Sequence, residues 1–338
     1  EQQGLRRFRQ VVESPQATHI TIEGCDYLAF SSNDYLGLAN HPDLIKSACE
    51  GAQEYGVGAG ASHLIHGHSA FHHQLEMALA EFTGFPRALL FSTGYMANIG
   101  AVTALAGRED ALFADKLNHA SLNDAALLSR AQFIRYPHLD MTALERRLAA
   151  SDARRKLVIS DAVFSMEGDI APVQALLALC EKYHALLLLD DAHGFGVLGQ
   201  QGKGSLSVLA EQERHPPNLL YMATLGKAAG VCGAFVAAQA DVIETLIQSA
   251  RSYIYTTATP SLLSRALLTS LELIEREEWR RNMLARNIAQ LRQELQSLRW
   301  TLLPSMTPIQ PLLIGESHEA VRISQQLRER GLLVPAIR

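Results

Sequence analysis

Lys227 is the residue in this chain best placed to do chemistry. It follows a short apolar run, Leu219, Leu220, Tyr221 and Met222, and then Thr224, Leu225 and Gly226; Ala228, Ala229, Gly230 and Gly233 come after it. A lysine among residues with so little side chain is set up for burial, which disfavours the ammonium form and frees the amine to attack a carbonyl. Glycines on both sides admit a flat, bulky group close to the backbone. The Thr224 hydroxyl suits a phosphate oxygen. These features point to a Schiff-base lysine holding pyridoxal phosphate. The alternative is a strand-end lysine whose charge simply reaches water past an apolar stem.

Other reactive types recur where apolar runs end. Asp190, Asp191 and His193 directly follow four leucines, Leu186 to Leu189. One carboxylate at that depth could face a pyridinium nitrogen and keep it protonated, while His193 could meet a phenolic oxygen of the same ring. An acid that merely caps the next turn is the plainer reading of Asp190. Ser92, Thr93, Gly94 and Tyr95 follow Phe91 and open a helix, whose N-terminal N–H groups form a natural phosphate site. Asn118, His119 and Ser121 follow another apolar run, and Ser165 lies in a polar loop after a third. Convergence of a lysine, an acid, two histidines and a phosphate cradle argues more strongly than any one of them.

Two further patterns compete with this reading. Gly194, Gly196 and Gly199 match the GxGxxG spacing of dinucleotide sites, but Gln200, Gln201, Gly202, Lys203 and Gly204 stand where an apolar helix should begin, which argues against a nicotinamide oxidoreductase. His63, His66, His68, His72 and His73 cluster, and on a helix His68 and His72 would share a face. With no cysteine nearby and no acid to complete a tight ligand set, the expectation is no metal, the histidines lining a cleft or a subunit contact.

The elements that must hold these groups follow from the apolar periodicity. Short strands are expected at 88–91, 111–113, 133–135, 157–159, 185–189 and 219–222, with helices between them at 95–105 and 141–150 and another opened by Pro172. That alternation means an α/β protein with a mostly parallel sheet covered on both faces, whose ligands gather at the carboxyl ends of the strands. A hairpin at 18–22 and 27–30 precedes helices at 42–55 and 69–83. Past residue 237 come helices at 241–249 and from 260 to about 298, strands at 302–303 and 311–314, a helix at 318–330 and a last strand at 332–334. This is the make-up of a smaller α+β domain.

The chain has 338 residues, 48% hydrophobic and 19% charged, with a net charge of −5. Those figures suit a soluble enzyme of two domains and give no reason to expect nucleic acid or an anionic membrane as partner. Cys25, Cys49, Cys180 and Cys232 form no regular framework and read as reduced thiols in a cytoplasmic protein.

Residues 190–194, the segment from Thr224 to Lys227 with Gly233, and residues 164–169 together resemble the α-oxoamine synthases, which are fold-type I pyridoxal-phosphate enzymes. Residues 30–38, 91–98 and 118–121 extend the resemblance, which runs from about Leu5 to the last residue. It implies an N-terminal segment at 1–38, a large cofactor-binding domain at 39–258 and a small domain at 259–338 that continues beyond this sequence. Lys227 would form the Schiff base and later take the Cα proton of the amino-acid substrate. His119 would stack on the cofactor ring and help orient substrate. Asp190 would bind the pyridine nitrogen and His193 the ring oxygen. Gly94, Tyr95, Ser165 and Thr224 would complete the cofactor contacts, and Arg6 would bind substrate.

The resemblance implies an acyltransferase that condenses L-alanine with a pimeloyl thioester, carried by CoA or an acyl-carrier protein, with loss of CO2. Sister enzymes join glycine to acetyl-CoA or succinyl-CoA, and one methyl group, worth about 1–3 kcal/mol in a pocket, separates the two amino acids. A non-catalytic binding protein of the same fold is the remaining alternative. Residues 254–257 resemble a segment that reaches into a second subunit's site, which implies a homodimer. Asp161 stands where relatives often carry Glu, and Cys232 where Ser is common.

Overall fold

The computed structural model describes residues 9–210 and 214–337. The chain opens with a hairpin, β1 (His19–Ile22) and β2 (Cys25–Ala29), followed by α1 (Pro42–Tyr55), a short wide turn at His63–Gly67, and α2 (Ala70–Thr83). The alternating region follows: β3 (Arg87–Phe91), α3 (Gly94–Leu105), β4 (Ala111–Asp115), α4 (Ala120–Ser129), β5 (Gln132–Tyr136), α5 (Met141–Ala149), β6 (Lys156–Asp161), α6 (Val173–Lys182), β7 (Ala185–Asp190) and β8 (Leu219–Thr224). Next come β9 (Ala234–Ala238), α7 (Ala240–Ser249), α8 (Arg251–Ile254), α9 (Ser261–Arg276) and α10 (Glu278–Leu295). β10 (Thr301–Leu302), β11 (Leu312–Leu313), α11 (Ser317–Glu329) and β12 (Leu332–Leu333) close the described chain.

Seven strands make the central sheet in the order β3-β9-β8-β7-β6-β4-β5, and only β9 runs antiparallel to its neighbours. Side chains alternate across it as strand geometry requires. Leu187, Leu189, Leu219, Tyr221 and Phe113 pack into the core on one face; Leu188, Leu220, Met222 and Leu112 pack into the core on the other. Both faces are covered, so these strands read as continuous apolar runs. Because the other six strands are parallel, the ends of β4, β6, β7 and β8 share one edge of the sheet.

Three features differ from the sequence reading. β9 was not foreseen: its residues, Ala234, Phe235, Val236, Ala237 and Ala238, are small and apolar without alternation. It exists because the chain reverses after β8, with Gly233 at φ 101° donating no side chain to the turn and its carbonyl accepting Thr224 Oγ1 (3.0 Å) and Leu225 N–H (2.8 Å). The long helix expected from 260 to about 298 is two helices, broken at Glu277 (φ −97°, ψ 61°). The last strand also pairs far from its neighbours in sequence: β12 lies parallel to β2, Leu332 opposite Leu28, so residues from both ends of the described chain share one three-stranded sheet. No helix among the described residues is long and apolar enough to cross a membrane.

Candidate active site

Lys227 sits in the turn between β8 and β9, held by its own carbonyl accepting Gly230 N–H at 2.8 Å. Gly230 is required there: its φ is 72°, and a Cβ would lie 2.7 Å from the backbone of Leu38 and Ala39. The amine reaches His193, Nζ to Nε2 2.7 Å. His193 follows β7, and its Nδ1 meets Tyr35 Oη at 2.7 Å. Burial disfavours the charged form of His193, helped by Lys227 and His119, and pushes its pKa down to about 3. It is therefore a neutral ring at physiological pH. Burial also lowers the Lys227 pKa, opposed by the negative charges of Asp190 and Asp161.

Asp190 ends β7 and is buried, 3% exposed. Its Oδ1 accepts Ala192 N–H (3.0 Å) and its Oδ2 accepts Asn98 Nδ2–H (2.7 Å). Burial raises its pKa, while Asn98 and Lys227 pull the other way. Asp161, at the end of β6 and opposite Asp190 in register, is likewise buried. Burial and then the Asp190 charge raise its pKa well above the carboxylate range. Asp161 Oδ2 accepts His119 N–H at 2.6 Å, so the acid at the end of β6 holds the backbone of the histidine that follows β4.

His119 is exposed at this edge and caps α4, its Nδ1 accepting Ser121 N–H (3.3 Å) and lying 2.7 Å from Ser121 Oγ. Thr93 caps α3, accepting Met96 N–H at 3.1 Å, so Gly94 and Tyr95 occupy the first turn, whose N–H groups have no intrahelical partner. Tyr95 is exposed and its hydroxyl donates to Asp124. Thr224 Oγ1 faces the same turn, accepting Gly226 N–H at 3.3 Å. Ser165 is half-buried in the loop after β6. Arg6 lies outside the described residues.

Sequence reasoning left several members of this constellation without a role. Tyr35, Asn98, Ser121 and Asp161 all lay within stretches noted for their polar residues, but only the fold shows what they touch. The buried acid after Asp190 is another. Asp191 is held by other partners, its Oδ2 accepting Tyr221 O–H and Ser205 N–H, both at 2.7 Å.

The glycine run at 194–199 is not a dinucleotide turn. A Cβ on Gly194 would lie 2.1 Å from Asp191 Oδ1, and the run leads into short 3₁₀ turns at Gln200–Gly202 and Ser205–Val208 in place of a helix. The histidine cluster does draw together, with ring nitrogens of His63, His68 and His72 within 4.8 Å of one another. His72, however, accepts Ser69 N–H at Nδ1 (3.0 Å) and lies 2.8 Å from Thr259 O through Nε2, so both of its nitrogens serve the capping of α2 and the chain before α9.

An amine with a depressed pKa, a buried acid, a neutral histidine and a capped helix N-terminus at one edge of a seven-stranded sheet define a fold-type I pyridoxal-phosphate enzyme. Residues 26–338 match the aminotransferase class I and II family, to which the chain belongs. The 8-amino-7-oxononanoate synthase of Nitrosomonas eutropha is 69% identical over 337 residues, covering 100% of this chain and 87% of its own length. The crystal structure of the 8-amino-7-oxononanoate synthase from Francisella tularensis superposes with a TM-score of 0.80 at 30% identity, over 92% of this chain and 88% of that one. A serine palmitoyltransferase from S. paucimobilis with a bound PLP–myriocin aldimine superposes with a TM-score of 0.91 at 28% identity, over 96% and 85%. Within the wider family, this is the branch of the 8-amino-7-oxononanoate synthases, pyridoxal-phosphate-dependent acyltransferases.

The residues present fit the cofactor. Asp190 would supply a buried carboxylate for a pyridine nitrogen, and Asn98 Oδ1 beside it is buried with no partner among the described residues. Lys227 would supply the amine. The first turn of α3 would supply N–H donors for a phosphate, with Thr224 Oγ1 beside it, its proton here given to Gly233 O.

Proposed function

We propose that this chain condenses L-alanine with a pimeloyl thioester, carried by CoA or an acyl-carrier protein, to give 8-amino-7-oxononanoate, CO2 and free thiol. This would be a step of biotin biosynthesis, carried out in the cytoplasm by a homodimer. The observation that carries the reading is Lys227 Nζ, 2.7 Å from a neutral His193 on the sheet edge that ends in Asp190, in a chain 69% identical to an 8-amino-7-oxononanoate synthase.

Lys227 would hold the cofactor covalently. Its amine would be the base for the alanine Cα proton, because a depressed pKa leaves it unprotonated more readily than a surface lysine. Bound pyridoxal phosphate supplies an electron sink for the charge left on the α-carbon by loss of a proton or of CO2. Asp190, as a carboxylate, holds a proton at the pyridine nitrogen. His193 Nε2 hydrogen-bonds the Lys227 amine and orients it, with Tyr35 fixing the far side of the ring. His119 offers an exposed ring for stacking and for orienting substrate. Gly94 and Tyr95 would bind phosphate through backbone N–H, Thr224 through its hydroxyl once that turns from the Gly233 carbonyl, and Ser165 a polar atom of the cofactor. Arg6 is the substrate-binding arginine of this scheme.

Support for the second subunit comes from the surface near residues 254–257. Tyr255 is 71% exposed and Ile65 73% exposed, and the bridge between Ser62 and Thr257 brings their segments together. Apolar side chains exposed in one region mark an interaction surface.

The test is turnover by the purified, cofactor-loaded protein with L-alanine and either pimeloyl-CoA or pimeloyl-acyl-carrier protein, the product identified by mass spectrometry. Alanine-dependent 8-amino-7-oxononanoate is the expected result. Product from glycine with acetyl-CoA or succinyl-CoA, and none from alanine, would refute it and move the chain to a sister activity.

A further inference from the structure

Asn98 lies on α3 and is fully buried, yet its side chain meets two groups of the site that arrive from other elements. One N–H of its amide goes to Asp190 Oδ2 at 2.7 Å, the other to Ser121 Oγ at 2.9 Å. Ser121 Oγ lies 2.7 Å from His119 Nδ1. The backbone N–H of Ser121 points at that same Nδ1. A backbone N–H can only donate, so Nδ1 is the unprotonated nitrogen of His119 and the neutral ring carries its proton on Nε2. The Ser121 hydroxyl then donates to Nδ1 while its oxygen accepts from Asn98.

Every proton in this chain of four residues therefore has one place to go. Turning the Asn98 amide over would set Oδ1 against Asp190 Oδ2 and Ser121 Oγ. Those contacts hold only if Asp190 is protonated and donates, and only if the Ser121 hydroxyl abandons His119. With the amide nitrogen facing Asp190, both carboxyl oxygens accept, Oδ1 from Ala192 N–H and Oδ2 from Asn98, an arrangement that favours the carboxylate. Asp190 needs that help, because it is buried beside Asp161 and next to Asp191.

We propose that Asn98 is a positioning residue that keeps Asp190 in its carboxylate form and, through Ser121, couples that state to the Nε2–H tautomer of His119. One amide thus sets both the acid that would face the pyridine nitrogen and the ring that would stack on the cofactor. The inference rests on the cofactor reading given under Proposed function.

Three variants test it: Asn98→Leu, which removes both donors; Asn98→Asp, which matches the asparagine in size but sets a carboxylate against Asp190; and Ser121→Ala, which cuts only the arm to His119. The measurements are pyridoxal-phosphate affinity from the visible absorbance of the bound cofactor, the pH dependence of that band, kcat and KM for alanine, and the histidine tautomer from nitrogen-15 NMR of the loaded protein. Loss of a hydrogen bond to a charged acceptor predicts about tenfold or greater loss of cofactor affinity in both Asn98 variants, with a shifted pH dependence of the band and kcat falling more than KM rises. Ser121→Ala is expected to hold affinity within about threefold while the His119 tautomer becomes mixed and KM for alanine rises. Melting of the cofactor-free proteins separates misfolding from mispositioning, and Asn98→Asp carries the test if Asn98→Leu does not fold. Asn98 variants that bind cofactor within about twofold of wild type, with an unshifted band, overturn this inference alone. A wild-type protein that takes up no pyridoxal phosphate overturns the parent reading and this inference with it.

Discussion

Asp191→Asn should make the protein more stable at neutral pH and leave it nearly unchanged in mild acid. Asp191 is fully buried, receives two hydrogen bonds on Oδ2, and leaves Oδ1 without a partner among the described residues. Burial raises its pKa from 3.8 to about 7, against the pull of the Ser205 and Tyr221 donors. An acid with a higher pKa folded than unfolded binds its proton more tightly in the folded state, so stability falls as pH rises between those two values. At ~1.4 kcal/mol per pKa unit, the difference between 3.8 and about 7 amounts to about 4 kcal/mol in the limit. About 3 kcal/mol of that develops between roughly pH 4 and pH 7. The amide oxygen of asparagine can accept from the same two donors and does not titrate. Urea unfolding of both proteins at a series of pH values gives the difference directly, and other buried acids such as Glu76, raised to about 7 by burial, cancel because both proteins retain them. The expected result is a stability difference that grows in favour of Asp191→Asn by about 3 kcal/mol from pH 4 to pH 7. Parallel curves would refute the reasoning, since they would mean that Asp191 titrates alike folded and unfolded.

Lys227→Ala should fold, lose the visible band of bound cofactor and show no turnover; normal turnover would remove Lys227 from the mechanism. His138 bridges Asp115 (3.0 Å) and Asp169 (2.8 Å), tying the end of β4 to the loop that carries Ser165. Burial lowers its pKa, but the hydrogen bonds to Asp169 and Asp115 outweigh this and raise it overall. The pair's stabilisation is therefore complete below the unfolded pKa of 6.5 and is lost as pH rises through the folded value. His138→Gln should cost about 2 kcal/mol at pH 6 and less at pH 9, read from urea midpoints; an equal loss at both would contradict the charged bridge. Gly230→Ala should lower the melting temperature by forcing a Cβ against Leu38 and Ala39, a cost of about 2 kcal/mol or more, and weaken cofactor uptake because the Lys227 turn must shift. Unchanged melting and uptake would show that the turn does not depend on that glycine.

Much of the architecture follows from local pattern. Leu186 to Leu189 must be a strand with both faces covered, and the abrupt change to Asp190 and His193 marks its end as a place for chemistry. Lys227 among alanines and glycines announces a buried amine for the same local reason. Such features are legible because a few neighbouring residues suffice to express them. The break at Glu277 is not of that kind. No proline or glycine marks it, and the start of α10 is tied down by distant partners, with Arg280 Nη1 donating to Leu36 O at 2.9 Å.

The amino-acid sequence by itself determined the alternating strands, the reactive residues at their ends and the lysine among small neighbours, because hydrophobic periodicity and side-chain size act over a few positions. Only the tertiary structure decided which of those residues meet. Asn98 reaches Asp190 across 92 positions and Tyr35 reaches His193 across 158, while β9 inserts antiparallel between β3 and β8 and β12 pairs with β2. Those contacts depend on strand order, which is set by the packing of the whole chain and by no local run of residues.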